Sequence, residues 1–320
     1  MTIYRLTDEE LEKIIEAARF APSVHNTQPW HVRNKQGSIE VTIDQKYRLG
    51  PGDPTGRQTI ISLGILTEAI CLVAGTFGLS ASAKFDQDRV NITFQQGAKI
   101  KNNILNLLRK RATDRSIYKK VPVASALKSN LKKIPENKSS TIWIVEDENL
   151  IQSIAKLTSQ GISLALSNPK FREELRKYLL RQGSRRKRGI SVKSLYIPSV
   201  IAALQPDMLK IGLNTGKEAG LEKKRWLSAS AIVLITTDGD LHDDWFEAGR
   251  VYIRASLEIE KSGLSQATSA ATVEAATFHE DIEKLLGTNQ RLQAVIRIGS
   301  GVSKRKYSPR VSAKELITSN

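Results

Sequence analysis

Ala21-Pro-Ser-Val-His-Asn-Thr-Gln-Pro-Trp30 is the stretch of this sequence that decides the fold. It follows an amphipathic pattern that predicts a helix from Leu11 to Phe20, which Pro22 ends because the residue before a proline disfavours helical geometry. Short polar side chains then stand beside an apolar anchor, Trp30. A loop of this kind can present backbone amides and small donors to a planar, polar ligand. The alternative is an ordinary helix-to-strand turn, since Pro, Ser and Asn are common turn residues.

The composition describes an ordinary globular chain that is large enough for two domains or for two repeats of one. It has 320 residues, of which 40% are hydrophobic. The single cysteine, Cys71, excludes an internal disulfide, and its apolar surroundings favour packing over reactivity. No apolar run approaches the roughly 18 residues of a membrane span, and Met1–Thr7 has no secretory signal pattern. We therefore expect a cytoplasmic protein without a membrane partner.

Positive charge is concentrated in one segment of the chain. The net charge is +16, and residues Asn168–Arg225 contain 15 Lys and Arg against 5 Asp and Glu. The densest part, Arg185–Arg188, is either a contact for nucleic acid or another anionic surface, or a solvated loop. Short basic runs are most often solvated loops, so we expect no nucleic-acid partner.

Capping, periodicity and glycine stops predict the same plan of elements twice along the chain. The first part has the capping box Thr7–Glu10 with its helix, a strand at Ser38–Asp44, a buried helix from Arg57 to Phe77 and a strand at Val90–Phe94. The second part has helices at Ser125–Ile134, Leu150–Ser167 and Asp243–Ser262, strands at Thr141–Val145, Ala229–Thr237 and Leu292–Ile298, and a helix opened by a capping box at Thr277 and closed by Gly287.

Two glycine spacings suggest that the plan arose by duplication. Gly64 is followed fourteen residues later by Gly78-Leu-Ser, and Gly249 is followed fourteen residues later by Gly263-Leu-Ser. Because a glycine inside a helix costs about 1 kcal/mol relative to alanine, we expect Gly64 and Gly249 to mark where two central helices cross. The alternative is coincidence, since Gly-Leu is a common end of a helix.

The opening stretch resembles the flavin-contacting loop of the nitroreductase family, which carries Pro-Ser-Ser/Val-x-Asn-x-Gln-Pro-Trp at this place. The match extends over ten positions. The resemblance implies that this loop contacts FMN through Pro22, Ser23, Val24, His25, Asn26 and Gln28.

A second motif, Arg111-Ala-Thr-Asp-Arg115, is similar to the Arg-x-Ser-x-Arg/Lys element with which nitroreductases bind the phosphate and ribityl chain of FMN. Arg111, Thr113 and Arg115 match its three positions. A phosphate dianion is well bound by several charged forks and a hydroxyl, because arginine forms bidentate pairs with it. The alternative is a charged helix face on which Asp114 pairs with its neighbours.

The family also ends with a loop bearing a Lys/Arg-x-Arg pair that reaches the same phosphate. Arg310 matches the second base, whereas Ser308 stands where the family often has the first. Lys304, Arg305 and Lys306 are nearby substitutes. Alternatively, Arg310 is a surface arginine in a basic tail.

The resemblance extends over nearly the whole chain and is greatest to a fused, two-repeat, Acg-like group. It implies an α+β nitroreductase-like fold in which residues 1–105 and 106–320 form a pseudo-dimer, with the insertion 168–225 as a lid. The expected oligomeric state is a monomer whose two repeats mimic the two subunits of the family's homodimer. The first repeat has no Arg-x-Ser/Thr-x-Arg, and Val123–Leu127 has no likeness to the flavin loop, so we expect one FMN per chain.

This resemblance implies two-electron reduction of a small aromatic or quinone-like acceptor with NAD(P)H. The flavin N5 carries that chemistry, so we assign no catalytic side chain. We expect no metal, because the chain has one cysteine and its four histidines lack the spacing of metal ligands. Two alternatives remain open: an FMN storage or sequestration protein whose lid blocks hydride transfer, and a binder of an anionic partner such as nucleic acid.

Overall fold

The computed structural model describes residues 3–35, 37–100, 103–136, 139–196, 204, 206–207, 215–302 and 305–318. Lys304 and nearly all of the apolar stretch 197–213 in the predicted insertion lie outside these described residues.

Two four-stranded antiparallel sheets organise the chain, and both have the same strand order. Numbered along the chain within each sheet, the strands lie side by side as first, second, fourth and third, and a long helix joins the second strand to the third. The first sheet contains β1 (Trp30–Lys35), β2 (Ser38–Ile43), β3 (Leu79–Asp86) and β4 (Arg89–Gln96). The second contains β5 (Ser140–Val145), β8 (Ala231–Thr237), β9 (Ser265–Thr268) and β10 (Arg291–Gly299). The predicted mixed α+β class is confirmed.

Helices precede, connect and follow these strands. In chain order they are α1 (Asp8–Ala18), α2 (Arg57–Thr76), α3 (Ile104–Lys110), α4 (Ser125–Lys132), α5 (Glu148–Ser167), α6 (Pro169–Tyr178), α7 (Thr215–Leu227), α8 (His242–Lys261), α9 (Ala271–Glu274), α10 (Phe278–Leu286) and α11 (Ala313–Leu316). Short 3₁₀ turns occur at Val24–Asn26, Gln45–Tyr47 and Val192–Leu195.

One of the two predicted capping boxes forms. The Thr7 hydroxyl accepts a hydrogen bond from the Glu10 amide (3.2 Å), and the Glu10 carboxylate accepts one from the Thr7 amide (2.9 Å). The box predicted at Thr277 is wrong, because the backbone there has φ −107° and ψ 18° and its side chain makes no capping bond. An N-cap side chain reaches the first turn from an extended backbone, which Thr277 does not have.

The long helices α2 and α8 cross at the centre of the molecule, at the predicted glycines. A Cβ atom on Gly64 would overlap the carbonyl oxygen of Phe246, and one on Gly249 would overlap that of Ile61. Gly78 and Gly263, which follow the two helices, have φ of +80° and +78°, as expected for glycines that end helices.

The two sheets differ in how they are covered. In the first sheet, Val90 and Ile92 are buried and alternate with exposed residues, so one face packs on the core and the other meets solvent. In the second sheet, β8 is buried at every position. Val233 belongs to the core around α2 and α8, whereas Ile232 packs on the opposite face with Trp226 of α7.

The basic insertion folds back onto the first half of the chain. A parallel pair of very short strands, β6 (Leu179–Leu180) and β7 (Ile190–Ser191), closes the loop that holds the basic cluster. Residues 185–187 are exposed, but Arg188 turns inward: its Nε donates to the Thr27 carbonyl (3.0 Å) and its guanidinium lies 3.9 Å from the centre of the Tyr47 ring. Part of the cluster is therefore structural.

Among the described residues, one helix is long and apolar enough to cross a membrane by length and composition. It is α2, and 83% of its most apolar window is buried inside the protein. Such burial is typical of a core helix, which this helix forms at the crossing with α8.

Candidate functional site

A cavity of about 700 Å³ lies between the helix-end loop, α2, the segment after α3, the C-terminal tail and the insertion. Its volume is in the range of roughly 300–1,000 Å³ that is usual for small-molecule sites. Most of the predicted site residues line it: Pro22, Ser23, Val24, His25, Asn26, Arg111, Thr113, Arg115 and Arg310.

The helix-end loop has an unusual backbone. Three residues that are not glycine lie in the left-handed region, His25 (φ +46°), Asn26 (φ +55°) and Gln28 (φ +49°). Asn and His adopt this conformation more readily than most residues do. Even so, a backbone with three left-handed residues among four consecutive positions, 25–28, costs conformational energy. Backbone strain of this kind persists where surrounding contacts enforce it, and it is concentrated at functional sites.

Most of the loop's own amides are used to hold this shape. The Val24 amide donates to the Ser62 hydroxyl of α2 (3.2 Å), and the Gln28 amide donates to the Ser23 hydroxyl (2.9 Å). The amides of Asn26 and Thr27 donate to carbonyls of the same loop. These bonds leave few of the loop's amides for a ligand, so its side chains are the main groups that can contact one.

Asn26 joins three parts of the chain at the cavity wall. Its Nδ2 donates to the carbonyls of Gly189 (2.8 Å) and Pro309 (2.9 Å), and its Oδ1 accepts from Arg310 Nη1 (2.8 Å). The loop, the insertion and the C-terminal tail are thus fixed to one another by a single side chain. Arg310 is held here as part of the wall, not as a surface residue of the tail.

Gln28 lies behind the wall and does not line the cavity. Its Oε1 accepts from the Val311 amide (2.9 Å), and its Nε2 donates to the Lys187 carbonyl (2.9 Å). It connects the C-terminal tail with the insertion, so its polar groups are already bonded inside the protein.

The segment Arg111–Arg115 is extended and anchored to β9. The Asp114 amide donates to the Gln266 carbonyl (2.8 Å), and the Asp114 carboxylate accepts from the Ser265 hydroxyl (2.8 Å). Side chains alternate along an extended chain, so Arg111, Thr113 and Arg115 share the side that faces the cavity. The segment lies after the end of α3, and the Asp114 carboxylate bonds to Ser265 and the Ser116 amide, so the alternative of a charged helix face is excluded.

Three of the cavity's arginines have pKa values that burial lowers. Burial lowers the pKa of Arg111. Burial, followed in size by the charge of Arg225, lowers the pKa of Arg115 to about 10. Burial, followed in size by the charges of Arg111 and Arg19, lowers the pKa of Arg310 to about 9. None of the three has a carboxylate within 4.0 Å in the part of the chain that the structure describes. Such a group favours an anion, because like charges held together in a buried site repel.

Buried polar atoms without a partner point to the same place. Arg111 Nε, Arg310 Nε and His25 Nδ1 are buried and make no hydrogen bond with the described residues. Buried donors are almost always bonded in native proteins, so unpaired ones on a cavity wall indicate a polar ligand. Of the expected substitutes for the missing base, Arg305 pairs with Glu260, whereas Lys306 lines the cavity, as does Ser308, which stands at the position of that base.

His25 connects this cationic wall with the insertion. Its ring lies 6.1 Å from the Phe171 ring and 6.3 Å from the Tyr178 ring, centre to centre, both on α6. Burial, followed by the charge of Arg115, lowers the pKa of His25 to about 4. The imidazole is therefore neutral at pH 7 and adds no further positive charge to the site.

Several cavity residues have no sequence signal that singles them out. One group is polar and comes from the second half of the chain and from α2: Tyr252, Ser269, Glu274, Gln293 and Gln58. A second group is apolar and comes from α5 and the insertion: Ile162, Leu166, Phe171, Leu175 and Leu195. Burial raises the pKa of Glu274 to about 7. These residues come from helices, strands and the turns between them, and only the fold brings them together.

Cys71 lies outside this cavity, and burial raises the pKa of its thiol to about 12. Its role is packing, as its apolar surroundings predict. A group of three or more His, Cys, Asp or Glu side chains able to hold a metal ion does not occur within the described ranges.

Comparison with known proteins gives a family match in the part of the chain that contains the strained loop. Residues 4–33 match the model of the Nitroreductase family. A Mycobacterium tuberculosis (strain H37Rv) protein named Putative NAD(P)H nitroreductase acg is 20% identical over 312 residues, which cover 92% of this chain and 90% of the relative. A second protein from the same strain, named Putative NAD(P)H nitroreductase Rv3131, is 33% identical over 73 residues, which cover 23% of this chain and 21% of the relative.

Among solved structures, the FMN and NADPH-dependent nitroreductase NfnB from sphigopyxis sp. strain HMH aligns with a TM-score of 0.44 and 16% identity. The alignment covers 67% of this chain and 96% of NfnB. The family match and the similarity along most of the length of acg confirm the resemblance to nitroreductases that the loop predicts.

Proposed function

We propose that this relative of the Acg-like nitroreductases is an FMN-binding oxidoreductase that uses NAD(P)H to reduce a small aromatic or quinone-like acceptor by two electrons. The observation that carries the proposal is the cavity in which the strained loop meets Arg111, Arg115 and Arg310. An anionic cofactor with a planar, polar ring fits that donor set.

The residues of the chain have separate tasks in this proposal. Arg111 and Arg310, each with an unpaired buried Nε, bind the phosphate together with the Thr113 hydroxyl, because charged forks and a hydroxyl suit a dianion. Arg115 and the loop residues Ser23 to Asn26 bind the rest of the cofactor. FMN, when bound, supplies hydride transfer at its N5 atom. The protein holds the ring, keeps one face open to the acceptor and limits water through the apolar wall of the insertion.

We also propose that residues 1–105 and 106–320 are two fused repeats that form a pseudo-dimer in a monomeric chain. Two facts support this: the identical strand order of the two sheets, and the reciprocal glycine crossing of the helices that join their second and third strands. The proposed boundary at 105 falls inside α3, so the natural division lies just before that helix. One FMN per chain follows, because the described part of the second repeat has no counterpart of the strained loop.

The insertion 168–225 is proposed as a lid. It supplies apolar residues to the cavity and holds the loop through the bonds of Asn26 with Gly189 and of Gln28 with Lys187. These contacts support closure over a bound cofactor, with the basic cluster serving as the fastening and not as a surface for nucleic acid.

Anaerobic reduction tests the enzyme assignment. Purified protein is mixed with NADPH and then NADH without oxygen, and the flavin absorbance near 450 nm is followed. Bleaching at a rate well above that of free FMN supports the oxidoreductase. Addition of a quinone or nitroaromatic compound should then restore the oxidised spectrum.

The second candidate function is FMN storage or sequestration. The observation that favours it is the direct hydrogen bonding of the insertion to the cofactor loop, which restricts access from that side. A bound flavin that stays oxidised under NADPH, but is bleached by dithionite, would support storage over catalysis.

A further inference from the structure

We propose that Arg297 is a positioning residue for the candidate site, which holds Arg115 against the cavity from behind. Arg297 belongs to β10 and does not line the cavity, whereas Arg115 does. The inference deepens the proposed function and rests on it for FMN as the ligand. The role of Arg297 itself is argued from contacts that the cofactor assignment leaves unused.

Arg297 is a buried charge within an apolar part of its strand. It is 1% exposed, and its neighbours Ile296 and Ile298 are fully buried. It pairs with Ile232 of β8 on one side and with Ala267 of β9 on the other, so it lies inside the second sheet. Burial lowers the pKa of Arg297, because the charged form loses its hydration. A buried guanidinium is costly unless its donors are bonded, so its partners indicate its role.

Two partners of Arg297 are the backbone carbonyls on either side of Arg115. Arg297 Nη2 donates to the carbonyl of Ser116 (2.9 Å) and to that of Asp114 (3.2 Å). A side chain that bonds to the backbone both before and after one residue restricts the backbone rotation of that residue. The direction in which the Arg115 side chain enters the cavity therefore depends on Arg297.

Tyr118 supports this arrangement in two ways. The centre of its ring lies 4.0 Å from Cζ of Arg297, a cation–π contact that keeps the guanidinium in place. Its hydroxyl donates to the Asp114 carbonyl (2.6 Å), which also accepts from Arg297. The Tyr118 amide donates to the Ser228 hydroxyl (3.0 Å), just after α7. Tyr118 and Arg297 thus hold the same carbonyl beside Arg115.

A third bond of Arg297 reaches the last turn of α7. Its Nη1 donates to the Arg225 carbonyl (3.2 Å), and the Arg225 side chain lines the cavity as that of Arg115 does. One guanidinium therefore joins two chain segments that bring arginines to the cavity. A planar guanidinium presents N–H groups from several nitrogens in a fixed fork, whereas a lysine ammonium has one nitrogen. Lysine at this position would keep the charge and lose most of these bonds.

A double-mutant cycle on the purified full-length protein tests the proposal, with the affinity for FMN as the measurement. Arg297→Lys should weaken FMN binding about tenfold when Arg115 is present. It should change binding by less than about twofold in the Arg115→Ala background, because it acts through that residue. Tyr118→Phe should show the same pattern with a smaller loss, about threefold. Tyr4→Phe, which removes a hydroxyl bonded to Glu10 (2.7 Å), is the control and should leave the affinity unchanged.

Equal losses from Arg297→Lys in the two backgrounds would show a general structural role and overturn the proposal, as would unchanged affinity when Arg115 is present. If Arg297→Lys does not fold, the cycle with Tyr118→Phe decides on the same terms. Inorganic pyrophosphate, titrated calorimetrically into the flavin-free protein, is a second probe.

The two probes separate this inference from the proposed function. The expected cycle with pyrophosphate, in a protein that does not bind FMN, would refute only the proposed function. FMN binding with equal losses in the two backgrounds would refute only the positioning role of Arg297. Binding of neither probe would refute both.

Discussion

Gly64 and Gly249 each lie against the backbone of the other's helix. A Cβ at Gly64 would overlap the Phe246 carbonyl oxygen and lie 3.3 Å from the Arg250 amide nitrogen; one at Gly249 would overlap the Ile61 carbonyl oxygen. The contact is reciprocal, so each half of the molecule gives the other the same close approach. Only glycine allows it, which explains two residues that otherwise weaken long helices.

Gly249→Ala should destabilise the protein by roughly 1–3 kcal/mol, because the added methyl group meets backbone that cannot move away as a side chain can. Denaturant unfolding measures the change. Gly220→Ala is the matched control, since Gly220 also lies in a helix but has no atom within 4 Å of an added Cβ. It should leave stability unchanged or raise it by up to about 1 kcal/mol. Equal effects of the two substitutions would contradict the crossing.

Arg115→Ala should lose FMN while the fold remains. Arg115 is half-buried and shares the cavity with other arginines. Its removal relieves repulsion in the flavin-free protein, so stability should hold or rise while FMN affinity falls about 10- to 100-fold. Equilibrium dialysis and thermal unfolding measure the two effects. Arg89→Ala, at an exposed position on β4, should change neither.

Stability should depend on pH through His25. Its pKa is about 4 in the folded protein, below the ordinary 6.5, so the unfolded chain takes up the proton first as the pH falls. The contribution of the neutral His25 side chain to the free energy of unfolding is complete above about pH 6.5 and is lost as the pH falls towards 4. It amounts to at most about 3 kcal/mol.

Flavin-free His25→Asn should lose that dependence, because asparagine tolerates the left-handed backbone and does not titrate. His242→Asn, at an exposed position, is the control and should retain the wild-type profile. The free energy of unfolding is measured from pH 4.5 to pH 7.5 for each variant. If it falls with decreasing pH by the same amount in the wild type and in His25→Asn, this account of the imidazole is refuted.

Arg188→Ala should speed the release of FMN. The substitution removes the bond to the Thr27 carbonyl and the packing on Tyr47, both of which fasten the insertion to the first half. Arg185→Ala, in the exposed part of the same cluster, should have no effect. Stopped-flow transfer of FMN to an excess of a second flavin-binding protein gives both rates. Identical rates for the two variants would show that the insertion is not fastened at this point.

The sequence predicts elements best where local chemistry specifies them. The capping box at Thr7 and the glycine that ends α2 act through neighbouring atoms, so their patterns are sufficient. Strand β1 was not predicted, because its alternation is short and depends on pairing with β2. Strand β9 has only four residues and exists through its pairing with β10. The capping box at Thr277 fails because the chain before α10 turns in a way no local pattern encodes.

The candidate site divides in the same way. Its loop and its arginines stand in compact motifs, and the cavity contains both. Gln28 belongs to the loop motif, yet its side chain hydrogen-bonds to the Val311 amide and the Lys187 carbonyl instead of facing the cavity. Glu274 and Gln293 lie far apart along the chain, and only the packing of α9 against the bulged β10 brings them into one cavity. Long-range placement of this kind has no signature in a single sequence.

Titration of FMN into the flavin-free protein tests the central claim most directly, through quenching of flavin fluorescence. The account predicts saturable binding of one FMN per chain in the wild type and strongly weakened binding in Arg115→Ala. Binding of two FMN per chain would contradict the claim that the two repeats differ and form a single FMN site. Absence of binding, or equal binding by wild type and Arg115→Ala, would contradict the assignment of the cavity itself.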